Sequence, residues 1–233
     1  MKNSLLIVLV LAAAVPVRAQ KVIEKHFNLS ANGFVSMNFQ ISDSIRIITW
    51  KKNEVYVKST IDVNDNKNND DYNEAFDESA SSVNITGKLK SHCNTYHGRK
   101  IRVDSGRISR DSDNNCCNCG CETNIVHEIY IPENTDFSVE TINGNIVISG
   151  NTAEVRAHSI SGYIDLTMSP EKSAALRMRT ISGTMYSNFD LGGDNQRSRR
   201  VGGGTVDAQL NGSGGKAIDL ETISGDIFFR KGS

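Results

Sequence analysis

The chain has 233 residues, of which 26 are Lys or Arg and 27 are Asp or Glu, so its formal net charge at pH 7 is −1. This balance lacks the basic excess on which nucleic-acid binding depends, and a hydrophobic content of 38% is too high for a disordered chain. We therefore expect a folded protein without a nucleic-acid partner.

The first 19 residues have the composition of a secretory signal peptide. Lys2 supplies the positive start, residues 5–14 form an apolar run, and Val17-Arg18-Ala19 is a small-residue cleavage site. Such a run is too short to cross about 30 Å of hydrocarbon as a helix. The sequence predicts export to the periplasm or cell surface, with no transmembrane span after signal removal.

Apolar residues alternate with polar ones from about residue 22 to residue 63, which predicts strands. We expect three strands, near 35–39, 45–50 and 55–59, as irregular N-terminal members of the sheet. Trp50 is the only Trp. We predict that it packs over the end of the core and does not bind a sugar.

Residues 64–124 form a polar insert into this pattern. Within it Tyr72, Ala75, Phe76 and Ser79 recur at spacings of three and four, which predicts a short amphipathic helix from about Asp70 to Ser81. The remainder, from about 88 to 124, is rich in Ser, Asn, Asp, Arg and Lys. It reads as a long surface loop.

This loop contains a dense cysteine cluster. In an exported chain disulfides are the first interpretation, although the number of cysteines is odd and the pairing stays open. A metal site with His92 and His97 as nitrogen ligands is the alternative, but the spacing is denser than the C-x-x-C pairs of structural zinc sites. Thiol redox chemistry is a third possibility. The disulfide candidates, which are also the thiolate candidates, are Cys93, Cys116, Cys117, Cys119 and Cys121.

Residues 137–231 contain a repeat whose pattern is hydroxyl, Ile, small polar, Gly, any residue, apolar residue. Copies begin at 141, 159, 180 and 222, and a degenerate copy begins at 201. A period of roughly 20 residues is typical of stacked units. We predict an all-β fold, a parallel β-solenoid of about five C-terminal rungs within one domain, 20–233. The predicted corners are Gly144, Gly162, Gly183, Gly203 and Gly225.

Stacking in register should align equivalent residues of the repeats. We expect the apolar residue that follows each hydroxyl to lie in an internal ladder, beside a ladder of hydroxyls. Exposed strands at the ends of the stack also suggest self-association. The internal ladder would contain Ile142, Ile160, Ile181, Val201 and Ile223, and the hydroxyl ladder Thr141, Ser159, Thr180 and Thr222.

The fourth repeat is preceded by a polar segment, residues 192–200, although the repeat pattern predicts a strand with apolar residues at this position. A basic patch for an anionic glycan is one interpretation. A bulged, solvated strand or loop is the one we favour.

The segment Ile45-Arg-Ile-Ile-Thr-Trp-Lys-Lys-Asn-Glu-Val-Tyr-Val57, followed by Ile129-Tyr-Ile-Pro132 and the Thr-Ile-Asn/Ser-Gly repeats, resembles the putative bacterial adhesin family. That family is an exported domain of unknown function related to autotransporter adhesin heads. The resemblance covers nearly all of the mature chain. It implies a parallel β-solenoid in the cell envelope or at the surface, and it supplies no catalytic or ligand-binding residue.

The sequence therefore favours a non-enzymatic binding or structural module of the envelope, with a protein or glycan ligand and no cofactor. A metal-active or thiol-active protein using the cysteine cluster is the alternative. A polysaccharide-acting β-helix enzyme is disfavoured because the acids are scattered among the repeats. Residues expected on outer faces or corners are His158, Tyr163, Asp165, Arg177, Arg179, Tyr186, Asp226 and Arg230.

Overall fold

The computed structural model describes residues 20–30, 32–90, 103–104, 107–108, 122–191, 200–212 and 214–232. These residues are almost entirely β-structure, and the one helical element among them is a 3₁₀ turn, Asn69–Asp71. The strands are β1 Lys21–Asn28, β2 Phe34–Trp50, β3 Glu54–Val63, β4 Tyr72–Glu78, β5 Ser82–Leu89, β6 Val103–Asp104, β7 Arg107–Ile108, β8 Thr123–Pro132, β9 Asp136–Ser149, β10 Val155–Ser161, β11 Ile164–Met168, β12 Ala174–Ser187, β13 Arg200–Leu210, β14 Lys216–Ser224 and β15 Ile227–Lys231.

Six strands close into a parallel barrel. Hydrogen bonding runs from β9 through β10, β14, β12, β15 and β11 and returns to β9. The ring closes because β9 and β12 are long and bend, so that each pairs with one set of strands before its bend and with another after it. Inward side chains such as Val139, Leu220 and Phe229 are fully buried between the two sides.

The two sides of the barrel continue into outer strands. The first wall contains β10, β14 and the first halves of β9 and β12, and it continues through the first half of β2 to β5 and β4. The second wall contains β11, β15 and the second halves of β9 and β12, and it continues through the second half of β2 to β8, β3 and β1. β13 pairs with β12 along both walls.

The prediction of a β-solenoid, or β-helix, is wrong. A solenoid stacks each repeat on the one before it, whereas here β14 pairs with both β10 and β12, so the repeat at 222 lies between those at 159 and 180. The copy at 201 lies in β13, which is antiparallel to β12. The hydrogen-bonded path closes on itself instead of forming a linear stack of five rungs.

The repeated glycines lie at the bends, where adjacent strands approach most closely. A Cβ on Gly162 would collide with the carbonyl oxygen of Gly144, one on Gly225 with that of Gly162, and one on Gly183 with that of Gly225. Main-chain atoms cannot move aside as a side chain can, so these positions exclude larger residues. Gly203 differs, because it lies in the antiparallel strand β13 with φ of 40°.

The hydroxyl of each repeat also has a defined partner at the bend. Ser159, Thr222 and Thr180 donate hydrogen bonds of 3.2, 3.2 and 3.0 Å to the carbonyl oxygens of Gly144, Gly162 and Gly225 respectively. All three hydroxyl residues are buried. The hydroxyl therefore points inward because a buried main-chain acceptor of the neighbouring strand needs a donor.

The isoleucines of the repeat consequently point outward, and the prediction of an internal isoleucine ladder is wrong. A strand places successive side chains on opposite faces, so the residue after an inward hydroxyl faces solvent. The exposed fractions are 48% for Ile142, 38% for Ile160, 62% for Ile181 and 37% for Ile223.

The predicted helix from about Asp70 to Ser81 is also wrong. After the 3₁₀ turn the chain forms β4, which pairs antiparallel with β5. Tyr72 and Phe76, which are four residues apart, also fit a strand, because Tyr72, Glu74 and Phe76 alternate along β4 toward the core side while Ala75 is exposed. Pairing with β5 decides between these two periodicities.

Candidate binding surface

The outer surface of the second wall, which we call the second face, carries two aromatic clusters. Cross-strand register places one row of side chains along it, in the order His26, Tyr56, Tyr130, Ile48, Ser149, Thr167 and Arg230. The adjacent row is Glu24, Lys58, Glu128, Arg46, Val147, Asp165, Phe228 and Tyr186. Both rows, and the aromatic clusters described next, therefore lie on one continuous sheet.

The Trp50 cluster is formed by His26, Trp50, Tyr56 and Tyr130. It lies on β1, which is the edge strand of this wall, and on β2, β3 and β8. The Trp50 and Tyr130 rings are 5.1 Å apart, Tyr56 and Tyr130 are 5.8 Å apart, and His26 is 4.6 Å from Tyr56. The indole N–H of Trp50 donates to the carbonyl oxygen of Glu54 at 2.8 Å, which fixes its orientation. Lys52 lies over the Trp50 ring at 4.5 Å.

The structure thus places Trp50 on the second face with half-buried rings as neighbours. Its aromatic partners come from β3 and β8. The sequence alone indicated packing at the end of the core, because cross-strand neighbours from residues 56 and 130 are not visible in a local pattern.

The Phe228 cluster, formed by Tyr163, Asp165, Tyr186, Phe228 and Arg230, lies on the barrel itself. The Tyr186 and Phe228 rings stack at 5.0 Å, and Tyr163 approaches Phe228 edge-on at 6.1 Å. A cleft of about 300 Å³ adjoins these rings and is lined by Tyr186, Ser187, Asn188, Phe228, Phe229 and Arg230.

Arg230 is held in place within this cluster. Its guanidinium lies 3.0 Å from the Asp165 carboxylate and 5.0 Å over the Phe228 ring, while half of the side chain stays exposed. Burial raises the pKa of the Asp165 carboxyl, and the charge of Arg230 partly opposes this shift. A guanidinium oriented in this way presents its outer N–H donors to solvent in a fixed geometry, which suits recognition of hydroxyl or carboxylate groups.

The distance between the clusters follows from the strand order. Tyr130 and Arg230 are separated by Ile48, Ser149 and Thr167 on successive strands. Four steps of about 4.8 Å give roughly 19 Å between them. A ligand that contacts both clusters must therefore be extended.

A second group of functional side chains is buried between β3, β4 and β8. The Ser59 hydroxyl lies 2.9 Å from Glu74 Oε1 and 2.7 Å from His127 Nδ1, and the Tyr72 hydroxyl lies 3.3 Å from His127 Nε2. Phe39 stacks on the imidazole at 4.0 Å. The side chains of Glu74 and His127 are 0% exposed.

When Glu74 is ionised, the following pattern of protons satisfies these contacts. Ser59 has a single proton, and when it donates to Glu74 its oxygen can accept the Nδ1–H of His127. Nε2 of His127 then accepts the proton of the Tyr72 hydroxyl. Burial lowers the pKa of His127 to about 3 and raises that of Glu74 to about 7, while the Ser59 hydrogen bond partly offsets the latter shift. His127 is therefore neutral at neutral pH.

This arrangement cannot act as a catalytic triad. In such a triad the nucleophile and the acid contact different nitrogens of the imidazole. Here Ser59 and Glu74 both lie at Nδ1, the latter at 3.6 Å, and the buried side chains offer a substrate no access. The group is a structural polar cluster.

The sequence analysis did not identify this cluster. Ser59 and His127 occupy inward positions of otherwise apolar alternating strands, between Val57 and Ile61 and between Ile125 and Ile129. Polar residues at such positions were the available signal. Glu74 was hidden by the helix prediction.

The predicted signal peptide and residues 192–199 lie outside the described residues. So do the predicted cysteine and histidine ligands, Cys93, Cys116, Cys117, Cys119, Cys121, His92 and His97. Within the described part no group of three or more His, Cys, Asp and Glu side chains is arranged to hold a metal ion. No helix there is long and apolar enough to cross a membrane. His158, Arg177 and Arg179 lie on the first wall, and Asp226 lies at a bend, where it accepts a 2.8 Å hydrogen bond from the Thr184 amide.

Among solved structures the chain is similar to a putative cell adhesion protein from Clostridium sporogenes, with a TM-score of 0.55 and 10% identity over 92% of this chain and 100% of that one. This similarity shows a shared fold. A putative adhesin from Bacteroides fragilis aligns with a TM-score of 0.23 and 8% identity over 92% of this chain and 98% of that one, which is too low to establish a common fold. No protein-family model and no curated protein matches the sequence.

Proposed function

We propose that this protein is an exported, adhesin-like binding module of the bacterial cell envelope and not an enzyme. Its ligand is an extended protein or glycan that lies along the second face. The observation that carries the proposal is the pair of aromatic clusters on one sheet, each with a cation over one of its rings.

The composition of this face supports a binding role. Trp, Tyr and Arg are the residues that contribute most to recognition surfaces. Trp and Tyr bury large rigid rings at a small cost in conformational entropy, and Arg offers a planar guanidinium with several N–H donors. The Trp50 and Phe228 clusters concentrate these residues, while the strands between them carry shorter side chains such as Ser149 and Thr167. An elongated ligand is then contacted at two points and lies flat between them.

Three further considerations agree with this proposal. The first 19 residues have the pattern of a secretory signal. The polar group that most resembles catalytic machinery, around His127, is inaccessible. A protein of the same fold is described as a putative cell adhesion protein.

The test is binding of the exported chain to a glycan array and to a panel of extracellular-matrix proteins, followed by titration of whichever ligand binds. We expect Tyr130→Ala and Tyr186→Ala each to weaken binding by about tenfold or more, as is typical when a central aromatic contact is removed. Lys67→Ala is the control, because Lys67 is exposed in the turn after β3 and belongs to neither aromatic cluster.

Two results would overturn the proposal. One is failure of the folded chain to bind any member of either panel. The other is binding that both aromatic substitutions leave unchanged relative to Lys67→Ala. Loss through only one substitution would limit the contact to one cluster and contradict the extended ligand.

A further inference from the structure

The outer surface of the first wall, which we call the first face, carries the exposed isoleucine stripe. Register places the stripe on adjacent strands in the order Ile142, Ile160, Ile223 and Ile181. A contiguous apolar stripe across four strands differs from the scattered apolar residues of an ordinary surface, and it is typical of an interface.

Two rows of charged and polar side chains run beside the stripe. The nearer row contains two glutamates, a histidine and an arginine, and within it Arg179 lies 3.2 Å from Glu221. The farther row is similar, and Arg177 in that row lies 3.4 Å from Asp207 of β13. Across β9, β10, β14 and β12 the nearer row is Glu140, His158, Glu221 and Arg179, and the farther row is Ser138, Arg156, Asp219 and Arg177.

We propose that two copies of this chain pack through their first faces, related by a two-fold axis that is parallel to the strands and passes between β10 and β14. This rotation places the strands of the second copy in the reverse order. Each row of side chains then faces the same row of the second copy. β9 of one copy then faces β12 of the second, and β10 faces β14.

The charges are complementary in this arrangement. Glu140 faces Arg179 of the second copy, and His158 faces Glu221. Arg156 faces Asp219, so four charges of alternating sign surround the axis. Opposed potentials of this kind fix the register of an interface and suppress other registers.

Other positions of the axis are less favourable. An axis along β10 places Arg156 opposite Arg156 of the second copy, and an axis along β14 places Asp219 opposite Asp219 of the second copy. An axis between β14 and β12 pairs opposite charges but opposes only Ile223 and Ile181, since the strand facing Ile160 is then β13. The axis between β10 and β14 is the one that opposes all four isoleucines to isoleucines.

The area is sufficient for a reversible dimer. The face consists of six strands, β2, β9, β10, β14, β12 and β13, which lie about 4.8 Å apart. Over a length of about seven residues at about 3.3 Å per residue, they give roughly 650 Å² per copy. The total of roughly 1,300 Å² lies at the lower end of the range for specific complexes. Two packed walls would also leave both second faces pointing outward, so that the dimer would present two ligand surfaces.

The first experiment is sedimentation equilibrium of the full mature chain, without ligand and with reductant, so that cysteine cross-links cannot form. We expect concentration-dependent dimerisation. Ile181→Asp should weaken the dissociation constant about tenfold or more, because each dimer contains two Ile142–Ile181 contacts and the substitution places a carboxylate in both. Val22→Asp is the matched control. Val22 is 49% exposed on β1, outside the first face, and its substitution should leave the constant unchanged.

The second experiment tests the register by charge exchange. Arg156→Asp and Asp219→Arg should each weaken the dimer about tenfold, and the double variant should return to within about threefold of the original chain. In the register centred between β14 and β12 the double variant would oppose like charges, since Arg156 there faces Asp207 and Asp219 faces Arg177. Circular dichroism and thermal unfolding establish that each variant is folded.

A chain that stays monomeric up to about 100 μM would overturn the proposal, because an interface of this size is expected to form in the micromolar range. So would a dimer that Val22→Asp dissociates and Ile181→Asp does not, since that pattern indicates association through sheet edges. Failure of the double exchange to restore the dimer would overturn the proposed register. None of these results depends on the ligand of the second face.

Discussion

Buried polar side chains occur in the barrel and at the N-terminal end of the molecule, but their partners differ. In the barrel Ser159, Thr222 and Thr180 donate to main-chain carbonyls at the bends. Between β3, β4 and β8 the buried hydroxyl of Ser59 contacts Glu74 and His127. The first kind of contact cannot titrate, whereas the second contains two groups that gain and lose protons.

The difference shows what a repeat permits. A main-chain carbonyl is present at every bend, so a single hydroxyl can be copied from strand to strand with the same partner. The His127 cluster needs side chains from three separate strands, and it therefore occurs where the repeat pattern is absent. The hydroxyl contacts at the bends of the barrel should be insensitive to pH, and the cluster at the N-terminal end should not be.

The largest effect is expected at a bend. Gly225→Ala should lower the free energy of unfolding by about 3 kcal/mol, because the new Cβ collides with the main-chain carbonyl group of Gly162. Urea unfolding measures the change. Gly232→Ala is the control, since its nearest atom would be Met168 O at 3.4 Å and the substitution should cost little. Equal losses in both variants would contradict the close approach.

Next in size is a pH effect at the N-terminal end. Folding raises the pKa of Glu74 from 4.5 to about 7 and lowers that of His127 from 6.5 to about 3. Between pH 4.5 and 6.5 Glu74 thus gains a proton on folding while His127 releases one, and the two contributions cancel. In Glu74→Gln only His127 remains, so stability should fall as pH drops below 6.5, by about 2 to 3 kcal/mol at pH 4.5.

His127→Gln should give the opposite slope. Only Glu74 then titrates, and stability should fall as pH rises from 4.5 through 7, because the ionised carboxylate is buried without compensation. Urea unfolding at several pH values, taken as the difference from the original chain, measures both slopes. Parallel curves for all three proteins would show that the cluster does not control the pH dependence.

A smaller effect is expected at Gly87. A Cβ there would meet the Tyr72 hydroxyl and lie 2.8 Å from the Phe39 ring. These are side-chain atoms that can shift, so Gly87→Ala should cost about 2 kcal/mol, less than the change at a bend. In a Tyr72→Phe background the cost should shrink, because the clashing hydroxyl is gone. A double-mutant cycle by urea unfolding measures this coupling, and additive losses would contradict the contact.

The smallest effect is expected for a single bend hydroxyl. Thr222→Val keeps the shape of the side chain and removes the 3.2 Å hydrogen bond to Gly162 O. The loss should be about 1 kcal/mol and constant between pH 4.5 and 7.5, since no titrating group is involved. The control Thr205→Val, at an exposed position, should be neutral. A pH-dependent loss at Thr222 would contradict the distinction between the two regions.

The sequence predicted most of the strands and the alignment of the repeats, because both follow from local periodicity. The stretches predicted as separate strands at 35–39 and 45–50 form the single strand β2, and β4 was predicted as a helix. Register does pair Thr141 with Ser159, Ser159 with Thr222 and Thr222 with Thr180. The sequence could not predict which member of the Thr-Ile pair faces inward. Hydrophobicity favours Ile inside, and only the position of the neighbouring carbonyl reverses that preference.

The order of the strands was also beyond the sequence. Nothing local in β14 indicates that it lies between β10 and β12, since all copies of the repeat present similar edges. The second face was missed in part for the same reason. Trp50 meets Tyr56 and Tyr130 only through pairing between distant segments.

The central position of β14 and β15 makes folding depend on the end of the chain. In a linear stack, removing the last repeat shortens the array and leaves the others paired. Here β10 and β12 have β14 between them, and β11 and β12 have β15 between them, so the ring has no closed form without residues 216–231. Contacts between segments so far apart in sequence form slowly. During synthesis the barrel would therefore stay open until β14 and β15 are available to pair.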